Sequence, residues 1–74
     1  MKELYVMIEI KEAGSKVYRI QFRDEIEYER KCFMLLWKLA RTSYISVMGS
    51  NPNRADVEKF YPNVPIEDWN ELWS

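Results

Sequence analysis

Two stretches of this chain, LYVMIEI (residues 4–10) and KVYRIQF (residues 16–22), alternate apolar and polar side chains with a period of two. Both are rich in β-branched and aromatic residues, the types that suit a pleated, half-buried surface. EAGS lies between them, with Gly14 free to adopt a positive φ. The pattern predicts a hairpin. If paired residue numbers sum to 28, Ile10 faces Tyr18, Ile8 faces Ile20 and Val6 faces Phe22. One face is then apolar, and the other sets Glu9 against Arg19. A shift of one residue would bring Ile8 onto Arg19 and wet the core. An even sum requires an odd loop, and Ala13-Gly14-Ser15 supplies one of three residues.

A hairpin alone is marginal in water, and the next segment is its natural cover. Asp24 is a candidate N-cap with Glu27 three residues on, and Glu25 places negative charge in the first turn. Ile26, Phe33, Trp37, Ala40, Tyr44, Val47 and Met48 recur at helical spacing, with Glu27, Lys31, Lys38, Thr42 and Ser46 as the wet stripe. Neither Gly nor Pro interrupts residues 40–48, whereas Gly49 and Pro52 follow as a stop. The spacing therefore predicts one long helix ending near Met48. TSYISV also favours β-structure, so a third strand at 43–48 is the alternative. Asn53 can cap a short helix through RADVEKFY, and IEDWNELW reads as a second. The expected class is α+β: an N-terminal hairpin packed on one long helix, then two short C-terminal helices, in a single domain over residues 1–74.

The run CFMLLWKLA, residues 32–40, is apolar at all but Lys38. A helix with one wet face would alternate more. Its second side is covered either by the C-terminal helices, through Val57, Phe60, Tyr61, Trp69 and Trp73, or by another molecule.

Composition narrows the chemistry. There is no histidine and one cysteine, Cys32. This removes the commonest general base, a Cys–His nucleophile pair, zinc-ligand spacing and an internal disulfide. The two glycines, 14 and 49, cannot make a phosphate-cradling loop. Glu25, Glu27 and Glu29 read as solvated acids near a helix start, and Cys32 as a small hydrophobe, although Arg30 and Lys31 beside it could activate a thiol. No enzyme, cofactor or metal is expected. No apolar run reaches a membrane span and no signal peptide is evident, so a cytoplasmic protein without membrane contact is expected.

Net charge is −1 but graded: five basic against three acidic residues over 1–23, four of each over 24–48, and two against five over 49–74. This is no footprint for non-specific nucleic-acid binding. The function expected by elimination is non-catalytic protein binding, as an adaptor, assembly factor or stoichiometric inhibitor. Its contact residues would be Trp37, Arg41, Tyr61, Trp69, Leu72 and Trp73. The partner is another protein, with a basic surface to meet the acidic C-terminal third, or a second copy in a homodimer. The alternative is single-stranded nucleic acid stacked on the outer hairpin face through Tyr5, Arg19 and Arg23.

ERKCFMLLWKLA, a loop, RADVEKFYP and the acidic EDW together resemble a pattern in small phage accessory proteins, including tail-assembly chaperone-like proteins. The resemblance spans residues 27–69. It implies a non-catalytic protein that works by binding another, and it assigns no functional residue.

Overall fold

The structure is a computed structural model that describes residues 1–69. Its elements are β1 (Lys2–Ile10), β2 (Gly14–Phe22), α1 (Glu25–Ala40), β3 (Ile45–Asn51), α2 (Arg54–Phe60) and β4 (Ile66–Asp68). They form one mixed sheet in the order β3-β1-β2-β4. β1 is antiparallel to both β2 and β3, and β4 is parallel to β2. β2, β3 and β4 therefore all run the same way, and only β1 opposes them. The class is α+β as expected, but with four strands and two helices among the described residues.

The hairpin forms with an even register, displaced from the expected one. Lys2 pairs with Phe22 and Ile10 with Gly14, so paired numbers sum to 24. The loop is Lys11–Ala13, closed by Ala13 N–H donating to the Ile10 carbonyl at 3.1 Å. Gly14 follows at φ +83°. A three-residue hairpin loop needs a left-handed residue at the step back into the strand, which fixes Gly14 there rather than mid-loop. Because parity is preserved, the apolar face survives: Val6, Ile8, Ile10, Tyr18, Ile20 and Phe22 share one core cluster. The Glu9–Arg19 pair does not form, since Glu9 lies opposite Ser15.

The cap of α1 is as expected. Asp24 Oδ1 accepts from Glu27 N–H at 2.8 Å, and Glu27 Oε1 accepts in turn from Arg23 N–H at 3.2 Å. The helix ends far sooner than expected. Thr42 and Ser43 N–H both turn back to the Leu39 carbonyl, at 3.3 and 3.1 Å. Residues 45–51 then join β1 as an edge strand, so the strand alternative at 43–48 describes the chain better than the long helix does. Ile45 and Val47 take up ladder pairing with Ile10 and Ile8. Gly49 is no helix stop. It lies beside the irregularity between Met7 and Ile8, with φ +155°.

The helix also presents a different face to the sheet. Leu35 is buried, with Tyr28, Cys32, Leu36 and Leu39 partly buried around it. Ile26, Phe33, Tyr44, Val47 and Met48, expected in the core, are exposed, and Trp37, an expected contact residue on the same stripe, is exposed with them. Lys31, expected on the wet stripe, reaches β2 and donates to the Gln21 carbonyl at 2.7 Å. α1 carries two apolar stripes, and periodicity does not say which one meets the sheet. Across the short link Arg23–Asp24, Tyr28 packs on Phe22 with the rings tilted by 50° and centroids 4.9 Å apart, on the stripe that faces the sheet.

The other sheet face, expected to be wet, holds a second core. Tyr5 and Val17 pack with Val57 of α2, and Met7, Val64 and Ile66 border them. α2 begins at the expected cap, with Asn53 Oδ1 accepting from Ala55 N–H at 2.9 Å. No second C-terminal helix starts at Ile66. Val17 N–H donates to the Pro65 carbonyl at 3.0 Å and Trp69 N–H to the Arg19 carbonyl at 2.9 Å, which places β4 beside β2. α1 and α2 thus cover opposite faces of the sheet.

Candidate protein-binding face

α1 lies closer to β2 than to β3. Beyond it, β3 projects as an edge strand whose helix-side residues are only partly covered. Between the two runs a cleft of about 450 Å³, whose apolar lining comes from Val6, Tyr28, Cys32, Phe33, Leu35, Leu36 and Val47 and whose remaining lining comes from Glu29, Gly49 and Ser50. Its walls are almost wholly apolar. The volume is in the range of small-ligand and peptide-side-chain sites.

The outer rim of α1 continues this apolar surface. Ile26, Phe33 and Trp37 are spaced by seven and four residues, so they stack along one side of the helix. They are 80%, 70% and 58% exposed, and Val47 across the cleft is 53% exposed. At roughly 150–250 Å² for a whole aromatic side chain, these four present several hundred Å² of apolar area. Patches of that extent mark interaction surfaces. The Arg41 guanidinium lies over the Trp37 ring, 4.9 Å from its centroid. Lys11 caps the exposed Tyr44 in the same way at 5.4 Å.

The cleft floor is chemically quiet. Burial pushes the Cys32 thiol up from its ordinary value, against a smaller opposing effect of the Tyr28 hydroxyl. Cys32 is therefore held as a thiol rather than a reactive thiolate. Burial likewise pushes the Tyr28 phenol up to about 12, with Cys32 adding to the rise.

Of the residues singled out in the sequence, Trp37 and Arg41 lie on this face. Tyr61 does not: it is half-buried at the end of α2, on the other side of the sheet, where its N–H donates to the Val57 carbonyl at 2.8 Å. Trp69 is 8% exposed and belongs to the core with Tyr18, Phe22 and Leu35, so it is no free anchor. Leu72 and Trp73 lie outside the described residues. The sequence pattern instead places Ile26, Phe33 and Val47 in the core. The signal that could have found them is the excess of apolar residues in 26–40 over what one helix face can bury.

The three residues of the nucleic-acid alternative do not form an open stacking face. Tyr5 is 1% exposed beneath α2. Arg19 donates from Nε to Glu3 at 2.6 Å and from Nη1 to Asp68 at 3.0 Å. Arg23 is exposed and bonded to Glu27. Among the described residues no helix is long and apolar enough to cross a membrane. No family model, curated protein or solved structure matches the chain.

Proposed function

We propose that this chain is a non-catalytic protein-binding module, acting as an adaptor, assembly factor or stoichiometric inhibitor through the α1–β3 face. One observation carries the reading: Phe33 and Trp37 stand exposed one turn apart, beside an apolar cleft that no described part of the chain fills. Aromatic side chains at the centre of a desolvated patch supply most of the binding energy at protein interfaces. Arg41, stacked on Trp37, offers hydrogen-bond donors at the rim. The resemblance of residues 27–69 to small phage accessory proteins implies the same class of work.

The test is affinity capture from the native host with the wild-type chain and with Phe33→Ser and Trp37→Ser together. The expected result is loss of the captured protein with an unchanged melting temperature. Capture undiminished by the double change would overturn the assignment of this face.

A further inference from the structure

We propose that the cleft between α1 and β3 takes an extended segment of the partner chain, added as a strand to β3, with apolar side chains at alternate positions and a Lys or Arg beside Glu29. This deepens the protein-binding reading and rests on it.

Three features converge. The first is the wall that β3 provides. It is the outermost strand of the sheet, so one side of its backbone has no strand partner within the described chain. Such an edge pairs readily with another extended segment. The irregularity between Met7 and Ile8 breaks the run of β3, leaving a short ladder on each side of it. This discourages indiscriminate edge-to-edge pairing and suits a brief segment held also by its side chains.

The second feature is the shape of the opposite wall. The cleft lies between β3 and a flank of α1, with Val6 of β1 and Leu35 of α1 also in its lining, and about 450 Å³ accommodates a few side chains. A strand sits about 4.8 Å from its neighbour, whereas a docked helix needs about 10 Å across. A strand paired to β3 points every second side chain toward α1, where Cys32, Phe33, Leu36 and Val47 would receive them. The alternation required of the guest follows from that geometry.

The third is charge. Among the described residues, Glu29 is the one charged residue lining the cleft. Among the described residues it makes no ion pair, unlike Glu27 one turn away from Arg23 and Lys31. The adjoining depression holds Glu25 and Glu29 against Lys2, so it too is acidic on balance. A second copy related by a two-fold axis through the β3 edge would bring another Glu29 to the shared cleft and no lining cation to offset it. A foreign segment bearing a cation matches the site better.

The experiment uses the full chain as bait for a phage-displayed library of random peptides. Enriched sequences are then measured as free peptides by fluorescence anisotropy. The inference expects apolar residues at alternating positions with a Lys or Arg at a fixed offset. Methylating the peptide's backbone nitrogens one at a time should weaken binding about tenfold at every second position and little between, the mark of strand pairing. Glu29→Lys is at an exposed position and should leave melting unchanged. It should weaken the Lys-bearing peptide by about fivefold and shift enrichment toward Asp and Glu.

Enrichment of peptides with apolar residues three and four apart, or indifference to N-methylation, would overturn the strand while leaving protein binding intact. A concentration-dependent dimer in sedimentation that competes with the peptides would assign the cleft to a second copy and overturn the inference. No enrichment at all overturns it too. If host capture also fails, the protein-binding reading falls with it.

Discussion

Val57 of α2 packs against Tyr5 of β1, and neither is more than 1% exposed. This contact closes the sheet face opposite α1. A seven-residue helix is too short to persist on its own, so its apolar contact with the sheet must hold it. Val57→Ala removes two methyl groups from a closed site. The expected cost is about 2 kcal/mol, from burial of the side chain and the void left behind. For a domain of this size that corresponds to a fall of about 10 °C in melting temperature. Thermal melts followed by circular dichroism check it; a change under 2 °C would mean that α2 is not packed as described.

The two sides of α1 should respond in opposite ways. Leu35 is 1% exposed and Phe33 is 70% exposed, although they are two residues apart in one apolar run. Leu35→Ala should cost about 3 kcal/mol. Phe33→Ala should change stability by no more than about 0.5 kcal/mol. Urea titration of both variants reads the difference directly. Equal losses would show that both stripes of the helix are buried.

How far the sequence revealed this arrangement differs between the two kinds of element. In the hairpin, a period of two admits only two face assignments, and a wrong one would bury Arg19. Parity was therefore readable even though the pairing itself lies two residues away on each strand. In α1 the same reasoning fails, because Tyr28, Cys32, Leu35, Leu36 and Leu39 repeat as regularly as Ile26, Phe33 and Trp37. The stripe richer in aromatic residues is the one left outside. Residues 45–51 carried both a helix-compatible and a strand-compatible pattern, and the free edge of β1 decided for strand. β4 offered three residues and no local signal. Its place depends on Val17 and Arg19, some fifty positions earlier, and no local pattern encodes such a pairing. Trp37 and Arg41 are legible as surface candidates, whereas the burial of Trp69 is not, because its partners lie on β2 and α1.

Arg19 ties three strands together through Glu3 on β1 and Asp68 on β4. The Asp68 carboxylate is largely exposed and that of Glu3 less so. Asp68→Ala should therefore cost less than about 1 kcal/mol. Arg19→Ala, which also strips the stem from the sheet, should cost about 1–2 kcal/mol. In double-mutant cycles the Arg19–Glu3 coupling should exceed the Arg19–Asp68 coupling. The reverse order would show that β4 is held mainly by this ion pair rather than by its backbone bonds to β2.

Alkaline conditions should unfold the protein through two tyrosines. Burial raises the Tyr18 phenol, with Glu67 adding repulsion, and burial pushes Tyr28 up to about 12. An unfolded chain releases these protons near pH 10. Between about pH 10 and 12 the folded chain therefore holds protons that the unfolded chain gives up, and stability falls as pH rises. Below pH 10 both states are protonated at these groups and their contribution is fully present. Melting temperature should be flat toward pH 9 and then decline, and absorbance at 295 nm should show part of the five tyrosines titrating late, together with unfolding. Tyr28→Phe keeps the ring against Phe22 and removes the ionisable group, so its decline above pH 10 should be shallower than that of the wild type. Identical declines would mean that the Tyr28 hydroxyl already meets solvent in the folded chain, and that the floor of the α1–β3 cleft is wet.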